Sequence, residues 1–525
     1  MLALASCSDD YLDTAPQDSI NTSTVFSNTE MLDGAVNGLS LIMSESYSSS
    51  GFSRQGNNGE GTIILWYGAY LGGDAQYSNY STTKIITGSY FENSTDALSY
   101  YPWYYYYRLI ANANAVILHA DEASGSIKEK EFYKAQTLTY RAHAYSQLAQ
   151  FYCKRWCDSR NGASRGVPLR LDDSTGDIAC SSLADVYAQI YADLDEALSL
   201  YASSGMTRGA KYWRPDANVA HAIYARTALS KEDWQTAATH AHAARQGHPM
   251  MTYADYSSGF NTPNDEWLWG TYHDETENLG VYGLFAYIGA NTASSKGYKN
   301  IGTISKELIE QIPEDDLRRG IYMIPADGES GWSTSDSGRA NKGNFFTRMK
   351  NEFAGKIDSK NTYIYAYMSV KFQTIKDRSI GSVCILRGAE MLYAEAEALC
   401  HLGGQDSTVR SLLEEALAPY QSGYTCNLSG DALLNEVKLY KRFDLWAEGR
   451  GWMDQKRWNE PLVRHGWDEG GNWHPNFSGT GSTGGSYGTA DRNHWCIVIP
   501  SRETDYNKLI NNNVEPDNWS PSSAE

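Results

Sequence analysis

Asp444, Glu448, Arg450, Asp454 and Arg457 crowd three carboxylates and two guanidinium groups into residues 444–457. On a helix, Asp444 and Glu448 share a face with Lys441, and opposed carboxylates are the machinery of glycoside hydrolysis. The neighbours argue against that chemistry. Phe443, Leu445, Trp446 and Trp452 are core residues by type, so the string reads as a packed ion-pair network. Gly479, Gly481 and Gly484 match the dinucleotide fingerprint by letter only. No apolar strand precedes them and no helix follows, so the means of cradling a phosphate is missing. His240 and His242 lie two apart, which a helix places on different faces, and no Cys-x-x-Cys pair occurs. No metal, no cofactor and no catalytic residue is therefore expected.

The chemistry that remains is binding. The chain holds 38 Tyr and 15 Trp against 13 Phe. Tyr and Trp join an apolar body to a polar handle, which suits ligand platforms better than dry cores. Trp103 and Tyr104–Tyr107 run into a helix and are read as packing. Two clusters fall in loop-like sequence. The first is Trp66, Tyr67, Tyr70, Asp74, Tyr77, Asn79 and Tyr80, among Gly and Ser; the second is Trp267, Trp269, Tyr272, Tyr282, Tyr287 and Tyr298. Sugar C–H faces stack on such rings while Asp and Asn bind the hydroxyls between them. The candidate ligand-binding residues are Trp66, Tyr70, Asp74, Tyr77, Asn79, Tyr80, Trp269, Tyr272, Tyr282, Tyr287 and Tyr298.

The formal charge of −19 repels phosphate backbones, so no nucleic-acid partner is expected. It repels anionic lipid as well, so any membrane attachment should be covalent. No run of about twenty apolar residues exists to span a bilayer. Leu4-Ala-Ser-Cys7, followed by Ser8-Asp9-Asp10, has the form of a lipobox with Cys7 as the acylated residue. Only six residues precede that Cys, so residues 1–7 read as the remnant of a lipoprotein signal. The other Cys residues are odd in number and are expected as buried free thiols.

The elements that must hold these residues are helical. Ser182-x-x-Asp185 has the form of a capping box. It opens a run with apolar Leu183, Val186, Ile190, Leu194, Ala197 and Tyr201 at helical spacing. Ala217–Leu229, a turn at Lys231–Asp233, and an Ala-rich run Trp234–Arg245 give helix, turn, helix in the manner of degenerate tetratricopeptide repeats. Residues 251–380 are rich in Gly, Asn, Ser, Thr and Tyr, a loop-rich excursion with one short helix near Ile304–Ile312. Helices are expected again over Leu386–Leu402, Val409–Tyr420 and Leu433–Trp458, and then an irregular tail.

Several segments, in order, resemble one family. They are Gly34-Ala-Val-Asn-Gly-Leu39, Tyr107-Arg-Leu-Ile-Ala-Asn-Ala-Asn114, Tyr140-Arg-Ala-His-Ala-Tyr-Ser-Gln-Leu148 with Arg165-Gly-Val-Pro-Leu169, and Val186-Tyr-Ala-Gln-Ile190 with Asp193-Leu194. Leu386-Arg-Gly-Ala-Glu-Met-Leu-Tyr-Ala-Glu-Ala396, Lys441–Arg450 with Asp454 and Arg457-Trp458, and Ile499-Pro500 with Glu503 complete the set. Together they resemble the SusD/RagB outer-membrane nutrient-binding lipoproteins. Lys441 departs from the Glu usual there, which puts one motif ion pair in doubt. The resemblance implies a mainly α, tetratricopeptide-like scaffold with an irregular ligand-binding excursion. It divides the chain into an N-terminal region, 8–250, with a loop at 50–95, and a C-terminal region, 251–525. It also implies a cell-surface protein, lipid-anchored at the outer membrane, that captures oligosaccharide and passes it to a SusC-like, TonB-dependent barrel without breaking a bond. A peptide-binding receptor of the RagB branch, an α-helical glycoside hydrolase and a pure scaffold are the rival readings.

Overall fold

The computed structural model describes residues 26–45, 59–77, 83–276, 279, 283–292, 302–334, 338–358, 363–376, 379–473 and 495–510. The long helices are α1 (Thr29–Ser44), α2 (Ala97–His119), α3 (Ile127–Tyr152), α4 (Leu183–Ser204), α5 (Ala217–Ser230), α6 (Trp234–Ala244), α7 (Gly388–Leu402), α8 (Asp406–Leu417), α9 (Gly430–Asp444) and α10 (Gly451–Trp458). From α2 onward each packs on the next in chain order, as far as α7, which covers α8 and α9. Stacking of this kind lets each helix bury the apolar face that its neighbour alone could not.

The local rules explain the elements. Ser182 and Asp185 form the reciprocal capping box at the start of α4, and Leu183, Val186, Ile190, Leu194, Ala197 and Tyr201 are all buried. Gly205, at φ 61°, ends that helix in the left-handed region. Ala237, Ala241 and Ala244 are buried where α6 meets α5 and α7.

Helix α3 is buried over nearly its whole second half, so its polar residues need internal partners. Arg141 donates to both carboxylate oxygens of Asp193, at 2.8 and 2.7 Å, and to Asn114 Oδ1 at 3.0 Å. Asn114 in turn donates to the carbonyls of Arg170 and Asp172. Three motif residues far apart in sequence thus tie α2, α3 and α4 together.

Strands are short and come in antiparallel pairs. β1 (Ala75–Tyr77) pairs with β3 (Gly302–Ile304), β2 (Trp267–Gly270) with β6 (Cys384–Arg387), and β4 (Arg339–Ala340) with β5 (Ile364–Tyr365). β6 occupies residues expected to begin α7. The continuous helix expected over Leu433–Trp458 is broken. It stops at Asp444, passes through Ala447 at φ 61° and Gly449 at φ 88°, and resumes at Gly451. The break lets residue 449 meet the π-helical turn Ile63–Ala69, where a Cβ on Gly68 would lie 2.2 Å from the Gly449 carbonyl oxygen.

Among the described residues the cysteines are free thiols. Cys153, Cys384, Cys426 and Cys496 are buried, but Cys157 is exposed and Cys180 and Cys400 are half-buried.

Candidate ligand-binding site

The two aromatic clusters are far apart in sequence, and one ring of each, Trp66 and Tyr287, meet in space. β1 and β3 pair with Tyr77 opposite Gly302 and Ala75 opposite Ile304. Trp66 is half-buried and packs edge-on against Tyr287, centroids 5.7 Å apart and planes at 86°. Gln76 fastens the pair from beneath, donating to Thr303 Oγ1 at 3.0 Å and to the Asn472 carbonyl at 2.8 Å.

Beside this sheet lies an aromatic patch. The amide of Ile304 donates to the Tyr367 carbonyl at 3.0 Å. The Tyr367 ring lies 6.0 Å from that of Trp467, and Trp467 lies 4.7 Å from Trp332, tilted by 40°. Each ring is positioned locally. Trp332 precedes Ser333, whose amide bonds the Arg339 carbonyl at 2.9 Å at the edge of β4. Trp467 opens a single helical turn on which the Gly466 amide donates to Glu469 Oε2 at 3.0 Å. Gly338, at φ 77°, leaves room for the ring, since a Cβ there would meet Trp467 Cζ2 at 2.9 Å. Tyr367 is buried beneath the two indoles and holds φ 65°, a costly conformation that persists only where the surrounding structure fixes it. Trp332 and Trp467 remain half-buried, and their indole N–H groups lack partners among the described residues. The rim is acidic, with Glu310, Asp468 and Glu469 exposed and Glu307 paired to His465 at 2.7 Å.

Several expected ligand residues lie elsewhere, and their expectation is corrected. Trp269 is 0% exposed. β2 lies between β6 and the helical layer, so the ring packs on Tyr140 and His143 and its Nε1 donates to the Trp213 carbonyl. Tyr70 and Tyr287 are buried in the core. Asp74 is buried against Arg442, whose Nε lies 2.9 Å from its carboxylate, so it has no face for a sugar. Trp66 is half-buried and Tyr272 is 40% exposed. The Tyr77 backbone sits at the sheet edge, while its side chain, Asn79, Tyr80, Tyr282 and Tyr298 lie outside the described residues, as does Cys7. Sequence reasoning missed Trp332, Trp467 and Tyr367 as a group. For Trp332 and Trp467 the signal was an isolated aromatic in Gly-rich polar sequence, and for Tyr367 one of three alternating tyrosines, too diffuse to link without the fold.

The carboxylates of residues 444–454 are committed to structure. Asp444 and Glu448 both bind Arg387, at 2.7 Å each, and Arg387 also reaches Glu266 at 2.8 Å. Arg318 and Lys371 complete the cluster on Asp444 and Glu448. Burial pushes the Asp444 carboxyl up, but Arg387, Arg318 and Lys371 more than reverse this and hold it below its usual value. Lys441 sits between Asp454, at 2.9 Å, and Glu397, at 3.3 Å, so the departure at this position forms its own ion pairs. His240 and His242 face different partners, His221 and Glu395. Among the described residues no three His, Cys, Asp or Glu side chains are grouped to hold a metal ion.

A family model described as the SusD family matches residues 236–519. The chain belongs to the SusD family. A second model, described as starch-binding associating with outer membrane, matches residues 10–229 and gives this SusD-family chain its association with the outer membrane. No helix among the described residues is long and apolar enough to cross a membrane. No curated protein matches the chain. Among solved structures, a SusD-like carbohydrate-binding protein from Bacteroides vulgatus is 22% identical, with 92% of this chain and 97% of that one covered at a TM-score of 0.73. A SusD superfamily protein from Bacteroides thetaiotaomicron is 19% identical, covering 92% and 98% at 0.72. Surface glycan-binding protein A from the same species is 15% identical, covering 93% and 100% at 0.65. At these identities the likeness is one of fold.

Proposed function

We propose that this SusD-family protein captures oligosaccharide at the cell surface, held by an acyl chain on Cys7, and passes it to a SusC-like TonB-dependent barrel without cleaving it. The observation that carries this reading is the pair of half-buried indoles Trp332 and Trp467, backed by Tyr367 beside the β1–β3 sheet. Half-buried indoles in a polar rim match the apolar face and hydroxyl edge of a pyranose. A binding role also fits the commitment of Asp444, Glu448 and Asp454 to buried ion pairs. Those groups are not free to act as an acid–base pair.

The test is calorimetric titration of the full chain, carrying Cys7→Ala for solubility, against neutral oligosaccharides and peptides. One glycan class should bind with no product formed, and Trp467→Ala or Trp332→Ala should weaken it about tenfold, ~1.4 kcal/mol. Binding to peptides alone moves the protein to the RagB-type reading, and product formation defeats the non-enzymatic one.

A further inference from the structure

Away from that patch, a second pair of rings faces solvent. Trp213 lies in the loop between α4 and α5, and Tyr272 follows β2. Their centroids are 5.0 Å apart with planes at 56°. Both are rigidly set. The Trp213 carbonyl accepts from Trp269 Nε1 at 3.1 Å and from the Tyr140 hydroxyl at 3.2 Å. The Tyr272 hydroxyl donates to Asp274 Oδ2 at 2.9 Å, and the other oxygen of Asp274 accepts from the Thr276 amide at 2.7 Å. Trp213 is half-buried and Tyr272 is 40% exposed. On the rim, the exposed Asn37 amide accepts from Trp213 Nε1 at 3.4 Å, and Lys211 stands 3.7 Å from Asp33.

We propose that Trp213 and Tyr272 form a second sugar-stacking platform, separate from the Trp332–Trp467 patch, for a neutral pyranosyl unit of the captured chain. It rests on the glycan-binding reading above. Two amphipathic rings, locked before any ligand arrives, give contact area at little cost in conformational entropy. An amide and an oppositely charged pair at the rim offer donors and acceptors to hydroxyls. An apolar protein helix laid on the rings would leave that rim unmatched.

Calorimetry on the full chain with neutral hexasaccharides of gluco, manno, galacto and xylo type, and with peptides, tests this. The expected result is two binding events for one sugar type. Tyr272→Ala and Trp213→Ala each weaken the same one of the two about tenfold, while Trp467→Ala spares it. If Trp213→Ala lowers the melting temperature, Tyr272→Ala, an exposed truncation, carries the comparison. Sugar binding unchanged by both Trp213→Ala and Tyr272→Ala overturns the platform and leaves the functional reading intact. Peptide binding with no sugar binding overturns both.

Discussion

Arg387 is shared by three buried carboxylates, so Arg387→Met strikes the centre of this charge network. Asp444 keeps Arg318 and Glu448 keeps Lys371. Glu266 loses its only cation among the described residues and retains the backbone amides of Met251 and Ala389. Breaking a buried pair from one side costs ~3–5 kcal/mol, and that is the loss expected near neutral pH. Its pH dependence has a definite sign. Burial already raises the Glu266 carboxyl, and Arg387 only partly offsets this. Without Arg387 it rises further, and each added unit is worth ~1.4 kcal/mol. The folded variant then binds a proton that the unfolded chain, titrating near the ordinary glutamate value, does not. Its stability is therefore greatest below that value and is lost as pH rises through the raised one. Guanidinium unfolding, followed by tryptophan fluorescence at about pH 5 and about pH 8 for wild type and variant, should show the deficit shrink at the lower pH with the slope unchanged. Glu266→Gln in the same chain should recover part of the loss at the higher pH. A deficit below ~1 kcal/mol, or one that does not shrink toward pH 5, would falsify the view of these groups as a structural network.

Trp269→Ala should cost ~3–5 kcal/mol in the same unfolding assay, since it empties a closed site against Tyr140 and His143; a loss within ~0.5 kcal/mol would return the ring to the surface. His221 is held down to about 4, by burial first and by His240 second, so the unfolded chain takes up a proton that the folded chain refuses between the ordinary histidine value and that one. Stability should fall as pH falls through that window, and His221→Gln should lessen the fall relative to wild type; parallel curves would refute the assignment. Palmitate labelling in the native host should be lost with Cys7→Ala, and equal labelling would remove the anchor.

The helical scaffold was legible because it obeys local rules. A capping box and a 3.6-residue period at Leu183 through Tyr201 state their own outcome. The break in Leu433–Trp458 was not legible, because Ala447 takes a left-handed conformation that only the packing of Gly449 against the turn near Gly68 requires. Trp269 and Tyr272 look alike in sequence, three residues apart in the same polar stretch. Their fates diverge because β2 pairs with β6, more than a hundred residues away, which encloses one ring and leaves the other outside. The Trp332–Trp467 patch likewise joins segments more than a hundred residues apart and is invisible until both are placed.

The charge cluster at Arg387 also sets how the molecule responds to force. Glu266, Arg318 and Lys371 come from the loop-rich region, and Arg387, at the end of β6, and Asp444 and Glu448, at and just after the end of α9, come from the segment that carries the later helices. A hinge between these regions would have to separate these buried ion pairs, each at a steep cost. The irregular region is riveted to the stack and shares its stiffness. A pull on the helices tilts the ligand-facing surface as one plate, without flexing it.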